Sequence, residues 1–175
     1  MKWTDNLKTN VTTVDGLTKY ISSIQTDRET AKIILAKYPM SIPLYYLSLI
    51  HPEDIQDPIR KMCIPSFSEM DLSGTFDTSG ESSNTRLNGL QHKYPQTVLL
   101  LSTNRCAMYC HYCFRKRMVG NSQAEIVRDF PKVISYIREH SEITNVLISG
   151  GDSFLLSTDG IEAYLAALSP IGHID

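Results

Sequence analysis

The 175-residue sequence predicts an α/β fold built on a parallel sheet, behind an N-terminal helical extension. Two observations predict it. Residues 97–102 (TVLLLS) and 145–149 (NVLIS) are short apolar runs, the pattern of strands buried on both faces. Each is followed by residues with helical apolar spacing, and strand, helix, strand, helix in that order calls for right-handed parallel crossovers.

Residues 1–65 read as two or three short helices. Asp15 or Thr18 is placed to cap a segment running toward Ile24, and Asp27 precedes Ile33, Ile34, Ala36 and Tyr38 before Pro39 stops the pattern. A further apolar stretch, 42–50, lies between prolines and is followed by His51, Pro52 and Pro58. Residues 66–93 turn to Ser, Gly, Asp, Asn and Thr with no period of 2 or 3.6, which predicts a loop. A loop of that length is either functional or poorly ordered.

From 94 to 175 the pattern is regular. After the first strand and a cysteine-rich segment, Asp129 opens a helix carrying Phe130, Val133, Ile134 and Ile137, with Pro131 tolerated in its first turn. The second strand ends at Gly150-Gly151-Asp152. Ile161, Tyr164, Leu165 and Leu168 mark the next helix, and Pro170 to His173 lead toward a third strand. Two parallel strands leave sheet edges uncovered, so residues 94–175 read as an incomplete core and the sequence as the front part of a longer protein.

Hydrophobic residues make up 42% of the chain and charged residues 21%, a globular composition that excludes collagen-like or wholly disordered classes. Seventeen Lys and Arg against nineteen Asp and Glu give a net charge of −2, so no basic excess points to nucleic acid or an acidic membrane. The first residues lack a secretory pattern and no apolar run approaches the ~18 residues of a membrane span. The sequence is expected to be cytoplasmic.

A reducing compartment favours metal binding or catalysis over disulfides for clustered cysteines. Cys106, Cys110 and Cys113 are spaced C-x3-C-x2-C, and soft thiolates select zinc or iron–sulfur clusters. A closed structural zinc site uses four protein ligands, and His111, between two of the cysteines, is the nearby candidate for a fourth. Three thiolates on a [4Fe–4S] cluster leave one iron open to a substrate or cofactor. Cys63, within Met62-Cys63-Ile64-Pro65, reads as a small buried apolar residue.

The three-cysteine motif after a first strand resembles the signature of radical S-adenosylmethionine (SAM) enzymes, with Tyr112 as the aromatic before the last cysteine. His92-Lys-Tyr-Pro95, the strand 98–102, Cys106-Ala-Met-Tyr-Cys110, Phe114-Arg-Lys-Arg117 and Ser149-Gly-Gly-Asp152 together resemble the lysine 2,3-aminomutase-like family over roughly residues 57–175. That resemblance implies the first two βα units of a partial TIM-type barrel. It implies that Cys106, Cys110 and Cys113 hold a [4Fe–4S] cluster whose open iron takes the amino and carboxylate groups of SAM. Gly150, Gly151 and Asp152, with Tyr112, would form the SAM site, and Arg115 would pair with the substrate carboxylate.

The implied reaction is reductive SAM cleavage to a 5′-deoxyadenosyl radical, followed by a pyridoxal phosphate (PLP)-assisted shift of an amino group from carbon 2 to carbon 3. L-Lysine is the first substrate expected. A small-molecule amino acid and a reducing donor such as flavodoxin or ferredoxin are the implied partners, and a homo-oligomer is compatible. Two features depart from the family. Thr97 stands where relatives often carry an arginine near PLP, and Phe114 where lysine enzymes have a threonine. The PLP-binding lysine belongs to a later part of the family's chain, so the fragment alone is expected to be inactive. Alternatives are a SAM enzyme acting on another amino acid such as glutamate, or a non-catalytic iron–sulfur or zinc module. Lys116 and Arg117 read as a solvated basic stretch or as charges offsetting the cluster.

Overall fold

Prolines and short polar caps break the N-terminal part of the chain into short helices. The structure, a computed structural model, describes residues 3–21, 28–121 and 124–175. The chain divides into two compact units, one formed by Met1–Phe76 with Cys106–Asn121 and the other by Asp77–Arg105 with Ser122–Asp175. This division does not follow the composition boundaries at 65 and 93.

In the first unit, helices α1 (Trp3–Asn6), α2 (Val14–Leu17), α3 (Arg28–Lys37), α4 (Leu44–Leu49) and α5 (Pro58–Cys63) are each three turns or shorter. The cap of α2 is neither Asp15 nor Thr18: Thr13 accepts from the Gly16 amide, Asp15 lies in the first turn and Thr18 closes the helix. A side-chain oxygen caps best from just outside the helix, where the backbone is extended, and Thr13 has that conformation. Expectations involving Ile24 and Asp27 fall outside the described residues. Pro43 and Asp57 precede α4 and α5, and Pro58 occupies the first turn of α5, where its missing N–H costs nothing.

Val11, Leu17, Ile21, Met40, Ile42, Leu47, Ile50, Cys63 and Ile64 form this unit's core, with Met108 of the cysteine segment packed against it. Val11 and Ile42 exchange backbone hydrogen bonds of 2.8 and 3.0 Å across an isolated antiparallel bridge.

The stretch expected to be loop is structured. Ser66 and Glu69 form a reciprocal capping box around a 3₁₀ turn, Phe67–Met70. Further on, α6 (Glu81–Asn84) leads into strands β1 (Thr85–Leu87) and β2 (Leu90–Tyr94). Polar composition hid this hairpin because β1 is only three residues long and half exposed, too short to show a period. Gly89, with φ +80°, makes the turn, and a Cβ there would lie 2.1 Å from the Val127 amide nitrogen.

The second unit's sheet has four strands in the order β1-β2-β3-β4, with β3 (Thr97–Thr103) central and β4 (Asn145–Gly150) parallel to it. β2 pairs antiparallel to β3, so the edge of β3 expected to lie bare is covered by the hairpin. β4 is less buried than expected: Leu147 is 53% exposed. No strand forms after Pro170; residues up to Asp175 make turns, with Ile171 buried.

Asp129 caps α7 (Phe130–Glu139) by accepting from the Lys132 amide, and Val133, Ile134 and Ile137 bury against Leu90, Val98 and Leu100. α8 (Thr158–Leu168) docks through Leu168 with Tyr164 beside it, while Leu165 stays 55% exposed. His92 has a structural place here. One ring nitrogen lies 2.9 Å from the Tyr136 hydroxyl and the other 3.1 Å from the Pro95 carbonyl, tying β2 to α7 and to the turn before β3.

Ile137 is fully buried, so Ile137→Ala is expected to destabilise the chain by about 2–5 kcal/mol in urea unfolding. Leu165→Ala, at an exposed site of α8, should stay within about 0.5 kcal/mol of the wild type. Equal losses at the two sites would contradict the assigned core.

Candidate metal centre and flanking sites

Chain direction places the cysteines. β3 ends at Thr103, and Asn104 and Arg105 carry the chain into Cys106, where it joins the helical unit. Backbone and side-chain bonds fasten the segment there. Asn10 Nδ2 donates to the Ala107 carbonyl at 2.9 Å, the Tyr109 amide to the Ser41 carbonyl at 3.1 Å, and the His111 amide to the Met62 carbonyl at 2.9 Å. Gly120, with φ +70°, closes the segment against the ring of Tyr109, which would sit 2.2 Å from a Cβ at that position.

Cys106, Cys110 and Cys113 are each partly exposed, whereas Cys63 is fully buried and donates to the Ile59 carbonyl at 3.0 Å. Burial, and then the neighbouring charge of Cys110, push the Cys63 thiol up from 9.0 to about 12. Cys63 is thus the buried apolar residue expected. The Cys110 thiol is also raised, by burial and then by the charge of Cys113.

Among the described residues, no group of three or more His, Cys, Asp or Glu side chains is gathered to hold a metal ion. The space enclosed beside Cys110, Cys113, Tyr38 and Tyr109 is about 10 Å³, room for a single water, so access to the thiols is from outside the segment. The donor set still fits a soft metal in kind. Three accessible thiols share one short segment, and two of them repel each other on ionisation, a repulsion that a bound cation relieves.

His111 is not a free fourth ligand. Its Nδ1 lies 2.8 Å from Glu69 Oε2 and its Nε2 lies 2.8 Å from the Cys63 carbonyl, so both nitrogens face acceptors within the protein. Lys116 bonds the same Glu69 oxygen, donates to the His111 carbonyl at 3.0 Å, and stands 4.2 Å from the centre of the Tyr38 ring. Glu69 Oε1 accepts from the Ser66 amide at 2.8 Å. The Glu69, His111 and Lys116 side chains are 7%, 9% and 16% exposed. Burial favours protonated Glu69, but hydrogen bonds from His111 and Lys116 outweigh it and hold the carboxyl below its ordinary value.

Lys116 is therefore a buried ion-pair partner and not a solvated charge. Arg117 donates to the Phe76 carbonyl at 3.1 Å. Sequence reasoning passed over Glu69. The available signal was the Ser66-Phe-Ser-Glu69 capping-box spacing inside the polar stretch.

Of the remaining site residues in this unit, Tyr112 is 72% exposed. Arg115 is buried, its guanidinium carbon 4.7 Å from the centre of the half-exposed Phe114 ring. A buried fork of donors suits a planar carboxylate.

Gly150, Gly151 and Asp152 lie in the other unit, at the carboxyl end of β4. There the glycines let β4 close on the end of β3. A Cβ on Gly150, whose φ is +128°, would meet the Thr103 carbonyl oxygen at 2.3 Å, and one on Gly151 would meet that of Arg105 at 2.2 Å. The Gly151 and Asp152 amides donate to these same carbonyls at 2.6 and 2.7 Å. Asp152 caps the following turn by accepting from the Phe154 amide. Ser102 Oγ donates to the Ser149 carbonyl at 2.8 Å and Ser153 Oγ to that of Ile148 at 3.0 Å, lacing the strand ends together.

No family model matches the chain. Curated relatives do. L-lysine 2,3-aminomutase of Clostridium subterminale is 36% identical over 176 residues, covering 99% of this chain and 42% of that protein. Glutamate 2,3-aminomutase of Clostridioides difficile is 37% identical over 176 residues, 99% of this chain and 41% of that protein. L-lysine 2,3-aminomutase of Bacillus subtilis is 36% identical over 183 residues, 99% and 38%. The chain thus spans about two-fifths of the length of these relatives. Among the described residues, no helix is long and apolar enough to cross a membrane.

At pH 8, iodoacetamide is expected to alkylate Cys106, Cys110 and Cys113 in the native chain and Cys63 only after denaturation, as read by peptide mass spectrometry. Because folding raises the Cys63 pKa, its contribution to stability is complete below 9.0 and is lost as pH rises toward 12. Labelling of native Cys63 at the rate of the other three would contradict its burial.

Proposed function

We propose, from the premise that this chain is a relative of the lysine 2,3-aminomutase-like family, that it is the metal-binding part of a radical SAM amino-acid 2,3-aminomutase. The observation that carries the reading is the set of three partly exposed thiols on one fastened segment, in a chain that aligns with aminomutases over nearly its whole length. Cys106, Cys110 and Cys113 would hold a [4Fe–4S] cluster by three thiolates. When bound, the cluster supplies the electron for reductive cleavage of SAM to a 5′-deoxyadenosyl radical, and PLP supplies the carrier for the migrating amino group.

The chain's own residues bind and orient. The backbone at Gly150, Gly151 and Asp152 would receive the SAM amino group at the strand ends, where ligands of parallel α/β folds bind, and Tyr112 would belong to the SAM site. Arg115 would take the substrate carboxylate in a bidentate pair. The two βα units would be the first of a TIM-type barrel. L-Lysine is the first-choice substrate, since lysine enzymes recur among the relatives; the clostridial glutamate enzyme makes glutamate the second. A small electron-transfer protein such as flavodoxin or ferredoxin would supply the electron in the cytoplasm.

Anaerobic reconstitution of the protein extended to the length of its relatives should give about four irons per chain. Cys106→Ala, Cys110→Ala or Cys113→Ala should each abolish uptake while Cys63→Ala preserves it. Stoichiometric zinc without iron–sulfur absorbance would overturn the reading. In the same protein, Arg115→Ala should weaken amino-acid affinity by roughly 10- to 150-fold, with Arg115→Lys recovering part of the loss. Unchanged affinity in a folded Arg115→Ala variant would remove Arg115 from the substrate site.

A further inference from the structure

The sequence places His111 between two cysteines, yet the structure turns it inward onto Glu69 and the Cys63 carbonyl. Three anchors converge on the Glu69 carboxylate: the Ser66 amide on Oε1, and His111 and Lys116 on Oε2. Lys116 also donates to the His111 carbonyl, so the ring and the backbone of one residue are held together. His111 lies next to Cys110, and Lys116 lies three residues beyond Cys113. The carboxylate therefore fixes the chain on either side of the Cys110 to Cys113 turn. Glu69 itself is held by the capping box of a 3₁₀ turn, which leaves it no other rotamer without loss of the Ser66 bond.

We propose that Glu69 is a positioning residue for the metal-binding thiols, acting through His111 and Lys116 to hold the turn from Cys110 to Cys113 in a fixed conformation. The inference rests on the reading of those cysteines as ligands. Residues that orient ligands from behind commonly change metal retention by 10- to 100-fold when removed. In this case the support reaches the thiols through backbone, since the Glu69 bonds go to a neighbouring ring and an ammonium and not to sulfur. An ordinary stabilising ion pair would be felt throughout the helical unit. A clamp would be felt in the cysteine segment alone.

Amide hydrogen exchange followed by mass spectrometry separates the two in the full chain without metal. Glu69→Ala should speed exchange in peptides covering 106–119, where the His111 amide donates to Met62 and the Val119 amide to Arg115. Peptides covering 14–21, where the Thr18 amide donates to Val14 and the Ile21 amide to Leu17, should exchange as in the wild type. Glu69→Gln retains an acceptor for His111 while losing the ion pair with Lys116, so it should fall between the two. It also decides the matter if the alanine variant fails to fold. In protein loaded with iron, release to a chelator should be roughly 10- to 100-fold faster for Glu69→Ala and intermediate for Glu69→Gln.

Unchanged exchange in 106–119 would overturn the proposal. So would equal acceleration in both regions, which is the mark of a general stability role, or unaltered iron release in a variant whose segment has loosened. If the wild type takes up no cluster, the proposed function falls while the exchange measurements still decide whether Glu69 clamps the segment.

Discussion

A single buried carboxylate bonds to side chains on both sides of the Cys110 to Cys113 turn. Glu69 meets one amide, one imidazole and one ammonium, from Ser66, His111 and Lys116. Desolvating a carboxylate is costly, and the Glu69 pKa is held down because its partners outweigh that cost. Breaking one member of such a buried set is typically worth about 3–5 kcal/mol, more than a surface ion pair. Around it, Asn10, Ser41 and Met62 supply bonds to the segment's backbone, Met108 packs against the helical core, and Met118 and Val119 are buried. The thiols stay accessible while the chain carrying them is fastened, which is what a metal-binding loop requires.

In the sheet unit the governing constraint is close approach of backbone. Gly150 and Gly151 sit where any side chain would strike the carbonyls of Thr103 and Arg105. The same carbonyls accept the amides that end β4. The closeness at these glycines therefore has a structural use beside the SAM site expected there, joining the carboxyl ends of two parallel strands. The two uses are compatible, because amides and carbonyls at such strand ends are where parallel α/β folds present polar backbone to ligands.

Much of this was legible from residue order. The strands at 97–103 and 145–150, the Asp129 cap and the Val133, Ile134 and Ile137 face of α7 follow from period and capping chemistry, which are local. The hairpin β1–β2 was hidden because three- and five-residue strands with polar exposed faces carry almost no periodic signal. The α2 cap was misplaced by two or five residues because Thr13, Asp15 and Thr18 all suit a helix start, and backbone conformation, not residue type, decides between them. Lys116 looked, with Arg117, like one of two solvated bases; only the fold brings Glu69, 47 residues earlier, to its ammonium. Long-range ion pairs leave no mark in local sequence.

The proposed function requires that three thiolates hold a cluster with one iron left for SAM. Electron paramagnetic resonance of the reduced, reconstituted full-length protein tests it most directly, recorded with and without SAM. A [4Fe–4S] signal whose g-values shift on adding SAM is expected. A cluster signal that SAM leaves unchanged, or no cluster signal from protein that binds only zinc, would contradict it.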